Sequence, residues 1–286
     1  DVCSSDLMEM FYFVENQDYT QRTLMRMHET IGRPGLRQIA SSRRPYRRLY
    51  FVRTDGVLLT KLYDVAENAM GWSRLVTDGQ VESVYVKPAS DEDKVMLVVT
   101  RTVNGQTRRF LEQADPIYLA DRASANRVDS YVRKEDAGGF TTMTGLDHLE
   151  GETVRVWADG ARHKDCTVTG GQITLEWSAK KAVAGLPYTG LYKSSILLKN
   201  AQAGTPLGQI ASTITLLMML INSTRAVKYG GSFDLMDQLP DRPQSTTYDS
   251  GPDLFTGVTE PINMPGDPGR DQRVCLMAEK IGRAHV

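Results

Sequence analysis

The chain has 286 residues, a net charge of -1 and 41% hydrophobic residues. It can bury a core in one large domain or two medium ones, and no global field draws it to nucleic acid or to an anionic membrane. Its longest apolar run, Ile214 to Ile221 with Thr215 inside it, is far shorter than the roughly 20 residues of a membrane-crossing helix.

The opening Asp1–Leu7 and the closing Ile281–Val286 resemble translated sequencing-adapter read-through. They are set aside as suspected scars, and a longer natural chain is expected. With Cys3 excluded, Cys166 and Cys275 are too few for a disulfide scaffold and fit a reducing site of synthesis.

The only predicted helix is Tyr19–Glu29, capped by Asp18. Arg33, Arg37, Arg43, Arg44, Arg47, Arg48 and Arg53 then follow with no acidic residue between Glu29 and Asp55. Such a run can track a phosphate backbone without reading sequence, or form a solvated strand edge or a subunit contact. The structural reading is preferred, and Arg33, Arg37, Arg43, Arg44, Arg47 and Arg48 are the candidate DNA or subunit contacts.

Five two-residue turn signals lie between strand-like runs: Asp55-Gly56, Asp78-Gly79, Asn104-Gly105, Asp159-Gly160 and Gly170-Gly171. Each tolerates positive φ at both positions, as a type I′ hairpin turn requires. Together they predict an all-β, antiparallel protein. Residues 49–113 read as six strands in three hairpins. Around Asp55-Gly56 the two-residue turn predicts Val52 opposite Leu59 and Tyr50 opposite Lys61. Both faces of this pair are apolar, so it is expected to be covered on both sides. Asp78-Gly79 predicts Trp72 opposite Tyr85. Asn104-Gly105 predicts Val99 opposite Phe110 and Arg101 opposite Arg108, which calls for a nearby carboxylate, Glu82 or Glu112.

Gly138-Gly139, within the polar stretch 121–144, marks a predicted boundary. This gives a partial propeller-like meander over 8–140 and a second, sandwich-like β domain over 141–280. In the latter, Thr153–Ala158, Asp165–Thr169 and Gln172–Ser178 read as short strands. Leu207–Val227 reads as a long buried strand, with a helix as the alternative. Residues 239–269 carry six prolines and read as a long irregular loop with at most one short strand. Arg273–Glu279 reads as the last strand.

Little here suggests chemistry. His163-x-x-Cys166 has a spacing that some metal sites use, but no second pair completes it, so no metal is expected. Asp147-His148 resembles a catalytic dipeptide, yet a loop junction with the imidazole on a backbone group explains it more simply. Asp91-Glu92-Asp93 reads as a solvated loop tip. No Gly-x-Ser-x-Gly and no phosphate-cradling glycine loop occurs, so neither catalytic residues nor a cofactor is expected.

A family pattern runs through the same residues. Val52-Arg-Thr-Asp-Gly56, Gly71-Trp72, Thr77-Asp-Gly-Gln-Val-Glu-Ser-Val84, Val99-Thr-Arg-Thr-Val-Asn-Gly105 and Phe110-Leu-Glu112 come first. Gly145-Leu-Asp-His-Leu-Glu-Gly151, Ala158-Asp-Gly160, Gly185-Leu-Pro-Tyr188, Gly204-Thr-Pro-Leu-Gly208 and Leu254-Phe-Thr-Gly257 continue it in order. Over about residues 17–278 the chain resembles the tail tubular protein B, or tail nozzle, family of short-tailed bacteriophages. The resemblance implies Asp55, Gly56, Trp72, Asp78, Gly79, Arg101, Gly105, Glu112, Asp147, His148, Gly151, Asp159 and Gly160 as structural motif residues. It further implies a β-rich, non-enzymatic virion protein made in the host bacterial cytoplasm. Six copies would form a ring that joins the tail adaptor protein, binds tail fibres nearby and conducts DNA at ejection. Membership of the nozzle group or of the related DNA-stabilising tail plugs stays open. Two other classes stay open: a receptor- or glycan-binding phage appendage, and a polysaccharide-degrading tail enzyme with two carboxylates about 5–10 Å apart.

Overall fold

The computed structural model describes residues 7–15, 17–25, 28, 30–64, 69–115, 128–197, 210, 215–223, 227–239, 255–266, 268–270 and 272–278. Among them the chain is all-β, every strand pairing is antiparallel, and the only helical element is a 3-10 turn, Asp147–Leu149. The chain divides into two compact units between Tyr118 and Leu119. The predicted boundary at Gly138-Gly139 instead falls inside a strand.

The first unit opens with a hairpin of β1 (Met8–Phe13) and β2 (Asp18–Thr23). The predicted helix at 19–29 is therefore not formed over 18–23. Tyr19, Thr20 and Thr23 favour a strand. β1 supplies their partners: Tyr12 and Tyr19 meet edge to face at 5.2 Å, and Glu9 pairs with Arg22 at 2.6 Å.

Next comes a four-stranded meander of β3 (Leu36–Ser42), β4 (Arg48–Arg53), β5 (Leu58–Asp64) and β6 (Ala69–Leu75). A separate three-stranded sheet follows, with β7 (Gln80–Lys87), β8 (Lys94–Val103) and β9 (Gln106–Gln113). The two sheets share a core of Tyr50, Val52 and Leu58 with Val81, Val84 and Val99. They pack face to face, as successive propeller blades do. The other face of the first sheet is covered too. Phe51 and Leu59 are buried there, and the Leu24 carbonyl accepts hydrogen bonds from Lys61 and from Trp72, whose ring lies against Phe51. Coverage of the β4–β5 pair on both sides matches the expectation.

Two of the turn readings need correction. Asp55-Gly56 does join β4 to β5, but Val52 pairs with Leu58 and Tyr50 with Thr60. Only Gly56 has positive φ, at 80°, and its N–H donates to Arg53 O at 3.1 Å. The loop is thus three residues long, Thr54 to Gly56, the form that ends in a left-handed glycine. One extra residue shifts the register. Asp78-Gly79 caps no hairpin: β6 and β7 belong to different sheets. Trp72 pairs with Lys61, and Tyr85 with Met96. Glycine is needed at 79 for a close approach, since a Cβ there would lie 2.6 Å from Thr100 O. Asn104-Gly105 forms the predicted turn, with φ of 48° and 72°, and sets Val99 opposite Phe110 and Arg101 opposite Arg108.

The second unit is built on β10 (Asp129–Thr144), β11 (Thr153–Ala158), β12 (Ala161–Arg162), β13 (Cys166–Thr167) and β14 (Gln172–Leu186). β10 and β14 pair along most of their length, with one register shift between Asp129 and Val132 and two opposed bulges around Phe140 and Ala179. Gly138-Gly139 forms one of them. Gly139 sits at φ 80°, where such irregularity needs glycine. β14 runs eight residues past the predicted Ser178, because Ala182, Val183 and Ala184 are fully buried there despite the low strand propensity of alanine.

The rest forms small sheets. β15 (Gly190–Lys193), β18 (Val227–Gly230), β19 (Asp237–Gln238) and β22 (Cys275–Ala278) make one. β16 (Thr215–Leu216) pairs with β21 (Ile262–Asn263), and β17 (Met219–Ser223) with β20 (Phe255–Val258). Met218, Leu220, Tyr229 and Leu239 form their core, with Phe255, Ile262 and Leu276 packed against it. Two expectations change. Among the described residues the strand predicted at 207–227 is two short strands, split where Met218 turns inward and exchanges two hydrogen bonds with Thr259. The span 239–269 holds two short strands rather than at most one. Phe255 and Ile262 pack against the chain's own core. Residues 207–209, 211–214, 224–226, 240–254, 267, 271 and 279–286 lie outside the described residues, and with them parts of three of these readings.

Candidate functional site

The arginine run is divided by its environment. Arg53 closes onto Asp55, holding that carboxyl below its usual range, and donates to Ile31 O at 3.0 Å. Arg37 donates to Glu82 O at 2.7 Å. Arg44 donates to Ala89 O at 3.1 Å and to Ser90 O at 2.6 Å. These three stitch loops and sheets together. Arg33, Arg43 and Arg47 are exposed and Arg48 is half-buried at the start of β4. Arg33 lies near the Gly35–Thr54 contact, at the opposite end of the sheet from Arg43 to Arg48.

One acidic residue organises the loop between β3 and β4. Asp93 Oδ2 accepts the amides of Arg43 at 2.7 Å and Arg44 at 3.2 Å, and its Oδ1 accepts that of Ala89 at 3.2 Å. The backbone hydrogen bond from Arg43 does most to hold its carboxyl below the usual range, and burial partly opposes it. Asp93 is therefore not merely part of a solvated tip. Its use as an amide acceptor has no signature in the sequence.

The family-motif residues occupy turns and anchors. Glu112 is the carboxylate that answers Arg101, through two bonds of 2.8 Å to Nε and Nη2. Arg101 is 2% exposed and also donates to Asp78 O. Glu82, the other candidate, instead takes Arg109 at 2.7 Å and Thr100 Oγ1 at 2.6 Å. Trp72 Nε1 donates to Leu24 O at 3.1 Å while its ring lies over Phe51 at 5.3 Å. Gly105 and Gly160 hold left-handed turn positions, and Gly151 donates to Val168 O at 3.1 Å.

Asp147-His148 lies on the 3-10 turn, and His148 Nε2 donates to Ser130 O at 2.9 Å. This is the loop-junction role expected from the sequence. The motif around it wraps the Gly170-Gly171 turn: Glu150 accepts both glycine amides, at 2.9 and 2.7 Å, and Leu146 N–H donates to Gly171 O at 2.9 Å. A Cβ on Gly171 would run into the Asp147 carboxylate. Asp159 does similar work, accepting the amides of Lys180 at 3.1 Å and Lys181 at 2.8 Å in the bulged part of β14.

His163 is buried with both ring nitrogens engaged. Nδ1 donates to Lys164 O at 2.8 Å, and Nε2 accepts Glu176 N–H at 2.8 Å. That fixes the tautomer with the proton on Nδ1, and the ring lies tilted against Trp177, centroids 4.3 Å apart. Cys166 Sγ lies 4.0 Å from Nδ1, and burial, then the charges of Glu176 and Asp165, push its thiol up. Among the described residues no group of three His, Cys, Asp or Glu could hold a metal ion, and no helix is long and apolar enough to cross a membrane.

No protein-family model matches the chain, and no curated protein sequence does either.

Proposed function

We propose that the chain is part of a structural virion protein of a short-tailed phage, a tail tube or nozzle subunit of the tail tubular protein B kind. One observation carries the reading: the ordered motifs from Val52 to Gly257. Their places in the fold support it. Asp55, Gly56, Asp78, Gly79, Gly105, Asp159 and Gly160 form tight connections, Arg101 with Glu112 forms a buried pair, and Asp147 to Gly151 brace a glycine turn. These are framework positions, which a rigid ring subunit requires, rather than groups converging on a reacting atom. On this reading the protein takes no cofactor, acts in the phage tail and is made in the host cytoplasm. It assembles as a homo-oligomeric ring, six copies by resemblance, against the tail adaptor protein and near the tail fibres, with non-specific contact to phage DNA. Such a ring needs a heterologous contact that closes by rotation.

The test is native mass spectrometry and electron microscopy of the intact gene product with its adaptor. A closed ring seated on the adaptor is the expected result. A strictly monomeric protein that never joins the adaptor sinks the proposal and favours a binding appendage. Capsule hydrolysis abolished by changing one carboxylate favours a tail enzyme.

A further inference from the structure

We infer that the β3–β4 loop, residues 43–47 with Arg48 beyond it, is a sequence-independent contact for a nucleic-acid phosphate backbone, carried by Arg43, Arg47 and Arg48. The loop is held from beneath. Asp93 binds its first two amides, and the Arg44 guanidinium is spent on the Ala89 and Ser90 carbonyls. Asp93 is thus used on backbone amides and the Arg44 guanidinium on backbone carbonyls. Arg43 and Arg47 project from this fixed base, exposed, with no side-chain partner among the described residues. Tyr46 stands between them, 44% exposed.

Two more cations lie at the same end of the unit. Lys87 and Lys94 sit directly opposite each other on β7 and β8, both exposed. Like charges in that position repel, and a bound polyanion relieves the repulsion. Among the described residues the carboxylates at this end are Asp64, Asp91, Glu92, Asp93 and Asp115, against Arg43, Arg44, Arg47, Arg48, Lys87 and Lys94, so cations outnumber carboxylates by six to five. Guanidinium groups match phosphate oxygens in a bidentate fork, and an exposed tyrosine offers a ring to a base. A pre-ordered loop loses little freedom on binding. Nothing in the arrangement reads base edges, so sequence preference is not expected. The inference agrees with the DNA-conducting reading but rests on charge and exposure alone, and either can fail without the other.

The test uses the full chain and a labelled mixed-sequence duplex of about 30 base pairs, followed by fluorescence anisotropy between about 50 and 200 mM salt. The wild type should bind this duplex and one of unrelated sequence alike. R43Q/R47Q should weaken binding about tenfold at the lowest salt and lower the log–log salt slope by about two. R43K/R47K, which keeps the charge, should retain most of the affinity. K164Q removes an exposed cation in the other unit and should change little. Thermal melts of each variant separate lost contact from lost fold. The inference is overturned if the wild type does not bind, if a folded R43Q/R47Q binds like the wild type, if the lysine pair loses as much as the glutamine pair, or if K164Q loses as much as either.

Discussion

Arg101 and Glu112 meet through two parallel hydrogen bonds of 2.8 Å across the β8–β9 hairpin, and the arginine is 2% exposed. Arg108, directly opposite Arg101 in the ladder, points into solvent and bonds Gln106 instead. The like-charge clash of the register is thus resolved by burying one arginine against a carboxylate. Removing one member of such a pair strands the other in the core. Glu112→Ala should cost about 3 kcal/mol in urea unfolding, and Arg101→Leu with Glu112→Leu should recover most of it. A single change costing no more than the double would show the pair to be slack.

Two turn glycines should respond differently to alanine. At Gly105 φ is 72° and nothing lies within 4 Å of a Cβ, so only the backbone strain of about 1–2 kcal/mol applies. At Gly56 φ is 80° and the Cβ would lie 2.6 Å from Gln80 Cβ, so overpacking adds to the strain, for about 2–4 kcal/mol in all. Equal losses in a denaturant comparison would contradict the tight link between the two sheets.

Lys61 is 3% exposed, with Nζ 3.4 Å from Leu24 O and 4.7 Å from the centre of the Trp72 ring. Burial pulls its pKa below the usual lysine value, opposed by Glu9 and aided by Arg22. The unfolded chain then holds this proton more tightly than the folded one. Stability should rise with pH from the lowered folded value up to the unfolded value near about 10.4. Lys61→Met should abolish that rise and add about 1 kcal/mol at neutral pH. Stability against pH for the two proteins checks this, and parallel curves would count against it.

With both nitrogens of His163 engaged by backbone groups, the His163–Cys166 pair has no lone pair on the ring to offer a metal. Zinc should therefore leave the melting temperature unmoved, whereas His163→Ala should cost about 2–3 kcal/mol by orphaning the Glu176 amide. A zinc-dependent rise in melting temperature that His163→Ala abolishes would overturn this.

Local conformational demands were legible in the sequence, and non-local pairings were not. Asn104-Gly105 needs positive φ twice, and no other part of the chain alters that need. Asp55-Gly56 looks equivalent, but Arg53 takes hold of the Asp55 carboxylate, Asp55 stays out of the left-handed region and the loop gains a residue. At Asp78-Gly79 the glycine answers to Thr100 and Arg101, far along the chain. The Arg101 pairing followed from register once the turn was right. The candidate loop was visible as a run of arginines, but which of them are left over depends on Asp93, Ala89 and Ser90. Tyr19–Thr23 misled because its strand character comes from the partner strand β1.

The pairing of Gly190–Lys193 with Cys275–Ala278 gives the two units different histories on the ribosome. In the first unit each strand from β3 to β6, and from β7 to β9, finds its partner in the adjoining segment of chain, so these sheets can close as they emerge. The sheet around β22 cannot. β15 and β18 both wait for the same four residues, which appear only after the whole span from 194 to 274 has been made. During that interval their free edges lie open to other nascent chains. Slow translation or high expression should therefore harm the second unit first, and aggregates should seed from β15 and β18 rather than from the hairpins of the first.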